Sequence, residues 1–316
     1  MTEQKILAVV GATGAQGGGL VRGVLSDPDS PFRVRALTRD PASGKARALA
    51  ELGAEVVAAD LDDLDSLKRA FHGAHGAYCV TNFWEHFSPT RELTQATNLA
   101  EAAQAEGVAH VVWSTLEDTR NWIPLDDDRM PTLMEHYKVP HFDAKGAANA
   151  EFTRRGVPTT FLLTSFYWDN FIHFGSGPQR GDDGTLALVF PIGDAKLPGI
   201  AAEDIGRCAL GIFAAGDEHV GETVGICGGK PTGDEMAAAF TAALGEEVRY
   251  QDVPPEVYRS FDFQGADDLG NMFQFKRDFN DYFCAARSVE LSRELNPGLM
   301  DLEGWLARYK GEVPVG

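Results

Sequence analysis

The segment KILAVVGATGAQGGGL, Lys5 to Leu20, constrains this chain more than any other. KILAVVGA is short, apolar and ends on glycine, which predicts a buried strand over Lys5 to Ala12. Gln16 to Leu25 follows at once with Leu20, Val21, Val24 and Leu25 at helical spacing. Between them lie Gly11, Gly14 and Gly17, a G-x-x-G-x-x-G pattern rather than G-x-G-x-x-G. Gly11 permits a tight turn off the strand, Gly14 lets backbone approach a pyrophosphate, and Gly17 allows helix and strand to pack closely. The helix start adds unpaired N–H groups and the positive end of its dipole. A strand before the glycines and a helix after them favour dinucleotide binding over a ligand-free turn.

The pattern then repeats. Strands are expected over 32–39, 55–61, 76–83 and 110–115, with helices over 42–52, 65–71 and 90–106 between them. Such alternation predicts parallel βαβ units and a Rossmann-type, doubly wound α/β sheet with right-handed crossovers. Residues 121–140 read as a polar surface loop or short helix, 143–155 as a helix and 159–165 as a sixth strand. Beyond that, 176–185 reads as a hairpin or loop, 202–214 and 234–244 as helices, and 223–228 and 248–253 as strands. The remainder is expected to be mainly helical. The chain is thus divided into a 1–160 nucleotide-binding core and a 161–316 region that supplies a sixth core strand and a smaller α/β subdomain for substrate or partner.

The end of the second strand bears on which dinucleotide is read. An NAD site usually carries a carboxylate there, bonded to the ribose 2′-OH. This chain has Thr38 and Arg39, and a guanidinium suits a 2′-phosphate. NADP(H) is therefore expected over NAD(H), with Lys45 as a further nearby charge and Asp40 as the residue that could serve a ribose instead. Asp60 and Leu61, at the end of the third strand, are expected on the adenine side, although Asp60 could equally start the following helix.

The formal charge is 28 − 47 = −19. A field of that sign opposes nucleic-acid and anionic-membrane binding, while leaving room for a local basic pocket. Cys79, Cys208, Cys227 and Cys284 are scattered without CxxC spacing, which predicts reduced, packed thiols in a cytoplasmic protein. No apolar run reaches membrane-spanning length and no signal peptide is read. His75, His86 and His110 have no ligand spacing with acids, and Asp126 to Asp128 read as a solvated loop, so no metal is assigned.

GATGAQGG, the TRDP corner, AADLDD, VTNFWE and HFDAKG together resemble the NmrA-like family of atypical short-chain dehydrogenase/reductases. DLGNMFQF, NPGLMDLEGWL and the closing KGE are similar to its HSCARG-type branch of NADPH-sensing proteins, so the likeness spans nearly the whole chain. The resemblance implies that the loop Gly11, Thr13, Gly14, Ala15, Gln16 and Gly17 holds pyrophosphate and Arg39 the 2′-phosphate. It places Thr81, Asn82 and Phe83 along the ribose and nicotinamide, Lys145 on the nicotinamide ribose, and Ser165, Phe166 and Tyr167 beside the nicotinamide. Where that branch carries a lysine this chain has Thr94, which removes one cationic contact.

Typical short-chain dehydrogenases use a Tyr-x-x-x-Lys pair, in which tyrosine passes a proton to the substrate oxygen. In HFDAKG, Lys145 fits the lysine and His141 stands at the tyrosine position. Imidazole can move protons near neutral pH but is shorter. Tyr137, about two turns before Lys145 on a regular helix, cannot replace it. Ser114 matches the region of the usual catalytic serine, or simply ends its strand. Trp84, Phe166, Tyr167 and Trp168 could line an apolar pocket, or be core. Two readings follow. The first is a redox sensor or regulator that binds NADP(H) and engages a protein partner, as a monomer or homodimer, through 121–140 and 176–198. The alternative is an NADPH-dependent reductase of a small, largely apolar electrophile such as a quinone, enone or imine.

Overall fold

The computed structural model describes residues 4–315. The first half alternates strand and helix: β1 (Lys5–Val9), α1 (Ala15–Leu25), β2 (Phe32–Thr38), α2 (Gly44–Glu51), β3 (Glu55–Ala58), α3 (Leu64–Phe71), β4 (Gly76–Cys79), α4 (Pro89–Ala105) and β5 (His110–Thr115). Next come α5 (Pro140–Arg154), β6 (Thr159–Leu163), β7 (Phe166–Tyr167), α6 (Asn170–His173), β8 (Gln179–Arg180), β9 (Leu186–Phe190) and β10 (Gly199–Ile200). Then follow α7 (Ala202–Ala214), β11 (Thr223–Gly225), α8 (Gly233–Leu244), β12 (Val248–Asp252), α9 (Pro255–Arg259), α10 (Ala266–Asp278), α11 (Asn280–Ala285), α12 (Val289–Leu295) and α13 (Leu302–Tyr309).

Seven strands form one sheet in the order β11-β6-β5-β4-β1-β2-β3, and each neighbouring pair is parallel. This is the expected doubly wound α/β architecture. Its order reverses between β1 and β4, and the crevice beyond their carboxyl ends is where such sheets bind ligands. Apolar side chains cover both faces. One layer includes Leu7, Val21, Tyr78 and Ile205, and the other includes Ala8, Phe71, Leu99 and Trp113. The strands therefore read as continuous apolar runs rather than alternating ones.

The chain does not leave the sheet after β6. α7 lies directly on α1: a Cβ on Gly19 would stand 2.0 Å from the Glu203 carbonyl oxygen, and one on Gly206 2.2 Å from that of Gln16. The backbones touch, so neither position tolerates a side chain. β11 then pairs with β6 and extends the sheet. In a separate three-stranded sheet, β12-β9-β8, the 176–185 segment supplies β8 and the turn that brings it antiparallel to β9. A third apolar cluster, rich in aromatics such as Phe166, Phe171, Phe190, Phe240, Phe273 and Trp305, joins this sheet to the C-terminal helices. No helix among the described residues is long and apolar enough to cross a membrane.

Three buried polar side chains, Asp143, Asn271 and Lys138, tie loops to this frame. Asp143 Oδ1 accepts from the N–H and hydroxyl of Thr119 at 2.8 and 2.6 Å, and Oδ2 from the N–H groups of Lys138 and Val139 at 2.8 and 3.1 Å. That carboxylate fixes the entry to α5. The helix begins at Pro140, three residues earlier than the sequence reading, so His141 and Lys145 share it one turn apart. Residues 121–140, expected as a surface loop or short helix, are held down as well. Asn271 Nδ2 donates to the carbonyls of Pro131 and Lys138, and Lys138 Nζ to those of Asp127 and Met130.

Candidate functional site

A cavity of about 760 Å³ runs along the carboxyl ends of the central strands. Gly11, Thr13, Gly14, Ala15, Gln16 and Gly17 form one wall. Gly11 has φ +65°, and a Cβ on Gly17 would lie 2.5 Å from the Gly11 carbonyl oxygen. The first glycine is needed for the turn and the third for space. Gln16 is the node behind this loop. Its Nε2 donates to the Tyr167 hydroxyl at 2.5 Å, while its Oε1 accepts from the hydroxyls of Ser114, at 2.8 Å, and Tyr78. Burial raises Tyr167 to about 12 and Tyr78 well above its ordinary value, so both phenols stay neutral near pH 7.

At one end lie Arg39, Asp40, Asp60 and Leu61, with Asp62, Arg91 and Gln95. Arg39 is exposed and its guanidinium pairs with Glu85, a residue sequence reasoning did not single out. Asp40 and Asp60 each accept a backbone N–H two residues on, from Ala42 at 2.9 Å and Asp62 at 3.0 Å. Both act as turn residues here. Arg91 reaches Asp62, with Nη2 at 2.5 Å, and that hydrogen bond holds the Asp62 carboxyl below its ordinary value. Lys45 and Thr94 do not line the cavity; Thr94 is exposed and bonds its own helix at Thr90.

Thr81, Asn82, Phe83, Lys145 and His141 line the middle. Lys145 Nζ donates to the carbonyl and hydroxyl oxygens of Thr81 at 2.9 and 2.7 Å, and to Glu92 Oε1 at 2.5 Å. Glu92 is fully buried, also accepts from the Thr81 hydroxyl at 2.7 Å, and has His86 Nε2 3.5 Å from its other oxygen. His141 is fixed from the far end of the chain. Its ring Nδ1 lies 2.6 Å from Asp268 Oδ1, and its backbone N–H donates to Oδ2 at 3.2 Å. Asp268 thus leaves Nε2 as the ring nitrogen available for exchange, in a ring packed 4.7 Å from that of Trp84.

Ser165, Phe166 and Tyr167 continue into an aromatic compartment with Leu269, Met272, Phe273, Lys276 and Phe283. Ser165 Oγ is buried without a partner among the described residues, a polar atom that a bound group would satisfy. Trp84 lines the cavity, whereas Trp168 is buried core. Ser114 does not line the cavity; its hydroxyl donates to Gln16 Oε1, which does line it, in keeping with the strand-end alternative. Tyr137 lies before α5, paired to Leu133 and stacked under Arg120. Among the described residues, no His, Cys, Asp and Glu groups gather as a metal site.

The model of the NmrA-like family matches residues 3–306. The chain belongs to the NmrA-like family. It is 28% identical to an NmrA-like family domain-containing oxidoreductase, ptmS, of Penicillium ochrochloron, over 96% of this chain and 98% of that one. Among solved structures, its fold is similar to that of NmrA, a negative transcriptional regulator solved with NADP, at TM-score 0.78 and 23% identity over 97% and 95% of the two chains. It is also similar to Citrobacter sp. triphenylmethane reductase complexed with NADP(H), at TM-score 0.73 and 20% identity over 96% and 99%. Within this NmrA-like frame, Glu85, Arg91, Glu92, Asp268 and Lys276 are the cavity-side features that sequence reasoning missed. Arg91, Glu92 and Asp268 had a local cue, as charges in the first turns of α4 and α10.

Proposed function

We propose that this NmrA-like protein is an NADP(H)-dependent reductase of a small conjugated electrophile. The observation that carries the reading is His141, buttressed by Asp268, in the wall of a cavity continuous with the glycine loop. Gly11, Thr13, Gly14, Ala15, Gln16 and Gly17 would hold the pyrophosphate, Arg39 the 2′-phosphate, and Asp60 and Leu61 the adenine side. Thr81, Asn82, Phe83 and Lys145 would take the nicotinamide ribose. Ser165, Phe166 and Tyr167 would flank the ring. The orphaned Ser165 hydroxyl and the glycine cradle fit that group. The bound nicotinamide supplies a hydride.

The remaining work falls to the chain itself. Asp268 holds the imidazole in one tautomer, as a carboxylate does behind other catalytic histidines. Starting protonated on both nitrogens, with Nδ1–H on the Asp268 carboxylate, His141 would pass its Nε2 proton to the charge created on the electrophile and be left as the Nδ1–H tautomer that Asp268 holds. The rings of Phe83, Trp84, Phe166 and Phe273 exclude water. Support also comes from the family relatives described as oxidoreductases. Calorimetric titration with NADPH, NADP and NAD, followed by NADPH oxidation with quinones, enones and imines, tests the reading. Tight NADPH binding without turnover of any electrophile would overturn it.

That second outcome would favour the sensor reading, including likeness to the HSCARG-type branch. One observation supports it. Arg39 is paired to Glu85, inside the Asn82–Ser88 segment, and Lys145 to Glu92, four residues beyond it. Phe87 in that segment has φ +51°, an uncommon conformation for a non-glycine residue. Cofactor binding would exchange these carboxylates for phosphate and ribose, and so reposition the segment.

A further inference from the structure

Lys276 lies on α10 at the inner end of the cavity and is 3% exposed. Its Nζ stands 5.4 to 5.8 Å from the ring centroids of Phe142, Phe166, Phe273 and Phe283. Among the described residues none accepts a hydrogen bond from it, and none forms an ion pair with it. A buried ammonium without an acceptor is costly. Aromatic faces recover part of that cost but offer no oxygen.

The neighbouring elements supply no free carboxylate. Glu117, after β5, has both oxygens taken by Arg287, at 2.8 and 3.1 Å. α5 contributes Phe142 and His141, the latter held by Asp268 of α10 itself. β7 contributes Phe166 and the neutral phenol of Tyr167. Burial, with repulsion from Arg287, brings Lys276 down to about 7, against the pull of Glu117.

We propose that Lys276 is the polar recognition point of the substrate compartment, and that the compartment takes a planar aromatic or conjugated ligand whose ionised oxygen, carboxylate or phenolate, sits on the Lys276 ammonium. The phenylalanine rings provide offset and edge contacts to such a plane. The assignment rests on the compartment being a substrate site.

The test is calorimetric titration of the full chain, with and without NADP, using cinnamate, 1-naphthoate and neutral cinnamyl alcohol. At least one carboxylate is expected to bind about tenfold or more tighter than the alcohol, consistent with a charge-assisted bond in a dry site. In K276M that advantage disappears. The variant removes a buried charge, so its thermal midpoint is not expected to fall. Wild-type carboxylate affinity should drop about tenfold per pH unit above roughly pH 7, where the amine loses its proton, whereas an ordinary lysine would hold to about pH 10. Binding near pH 7.5 should take up protons, read from buffers of different ionisation enthalpy. No carboxylate binding, equal binding of the alcohol, or unchanged carboxylate affinity in K276M overturns the assignment. Carboxylate binding without reduction of any conjugated carbonyl retires the reductase reading and leaves Lys276 in place. Turnover without carboxylate recognition does the reverse.

Discussion

Asp268 grips His141 twice, through ring Nδ1 at 2.6 Å and the backbone N–H at 3.2 Å, across 127 residues of sequence. Removing the imidazole is expected to lower NADPH-dependent turnover in His141→Ala by about 100-fold or more, the usual worth of a positioned proton donor. Asp268→Asn keeps the shape but removes the negative charge that stabilises the protonated ring, so turnover should fall in the same direction. NADPH affinity, measured separately by calorimetry, should move by less than about threefold in both, because neither residue is assigned to the nucleotide. Wild-type rates in His141→Ala would remove the histidine from the mechanism.

Lys145 and Glu92 form a buried ion pair with Thr81 between them. Cutting one partner leaves the other charge uncompensated, so Lys145→Ala should lose about 3 kcal/mol of stability as well as cofactor affinity. The double variant K145M/E92Q should recover most of the stability and none of the affinity. Urea unfolding and NADPH titration of the same samples separate the two effects. A double variant no more stable than Lys145→Ala would mean that the pair is not the source of the loss.

Much of this framework is legible in the amino-acid sequence. Gly11, Gly14 and Gly17 sit in a strand–turn–helix context that only a few folds use, and the apolar strands repeat at regular spacing. These are local signals. The carboxylates that organise the site are not local. Glu92 reads as a surface charge on α4, and becomes buried only because α5 brings Lys145 onto it. Asp268 reads as an ordinary acidic start to a helix, and its burial depends on packing against α5. β11 is three residues long and gains its place from the edge that β6 offers. Ser114 carried the right position for a catalytic hydroxyl, but Gln16 took it.

Arg39 and Glu85 are both exposed and meet across the mouth of the cavity. A 2′-phosphate placed on Arg39 would meet the Glu85 carboxylate as a like charge. Glu85→Gln is expected to tighten NADP binding about threefold, the small scale of an exposed pair, with less change for NAD. Arg39→Ala should weaken NADP about tenfold or more and leave NAD nearly unchanged. Parallel titrations with the two nucleotides decide this. Equal losses for both would show that Arg39 does not read the 2′-phosphate.

His110 is buried at the start of β5, with Nε2 2.8 Å from Thr160 Oγ1 and its ring edge-on to Phe213. Burial lowers it to about 4 from an ordinary value near 6.5. His75, beside it, is shifted down for the same reason. Between those pH values the unfolded chain binds a proton at His110 that the folded chain does not, so stability is full above about pH 6.5 and falls as pH drops toward about 4. By pH 4.5 the loss from His110 should be about 2 kcal/mol, because the fall is complete only below about pH 4. Carboxylates such as Asp62 and Asp127, held low by Arg91 and Arg129, are expected to add their loss only below that window. Urea midpoints at pH 7 and pH 4.5 should therefore differ clearly in the wild type and by much less in His110→Gln, which keeps a group able to bond Thr160. An equal pH response in the two proteins would place the acid sensitivity elsewhere.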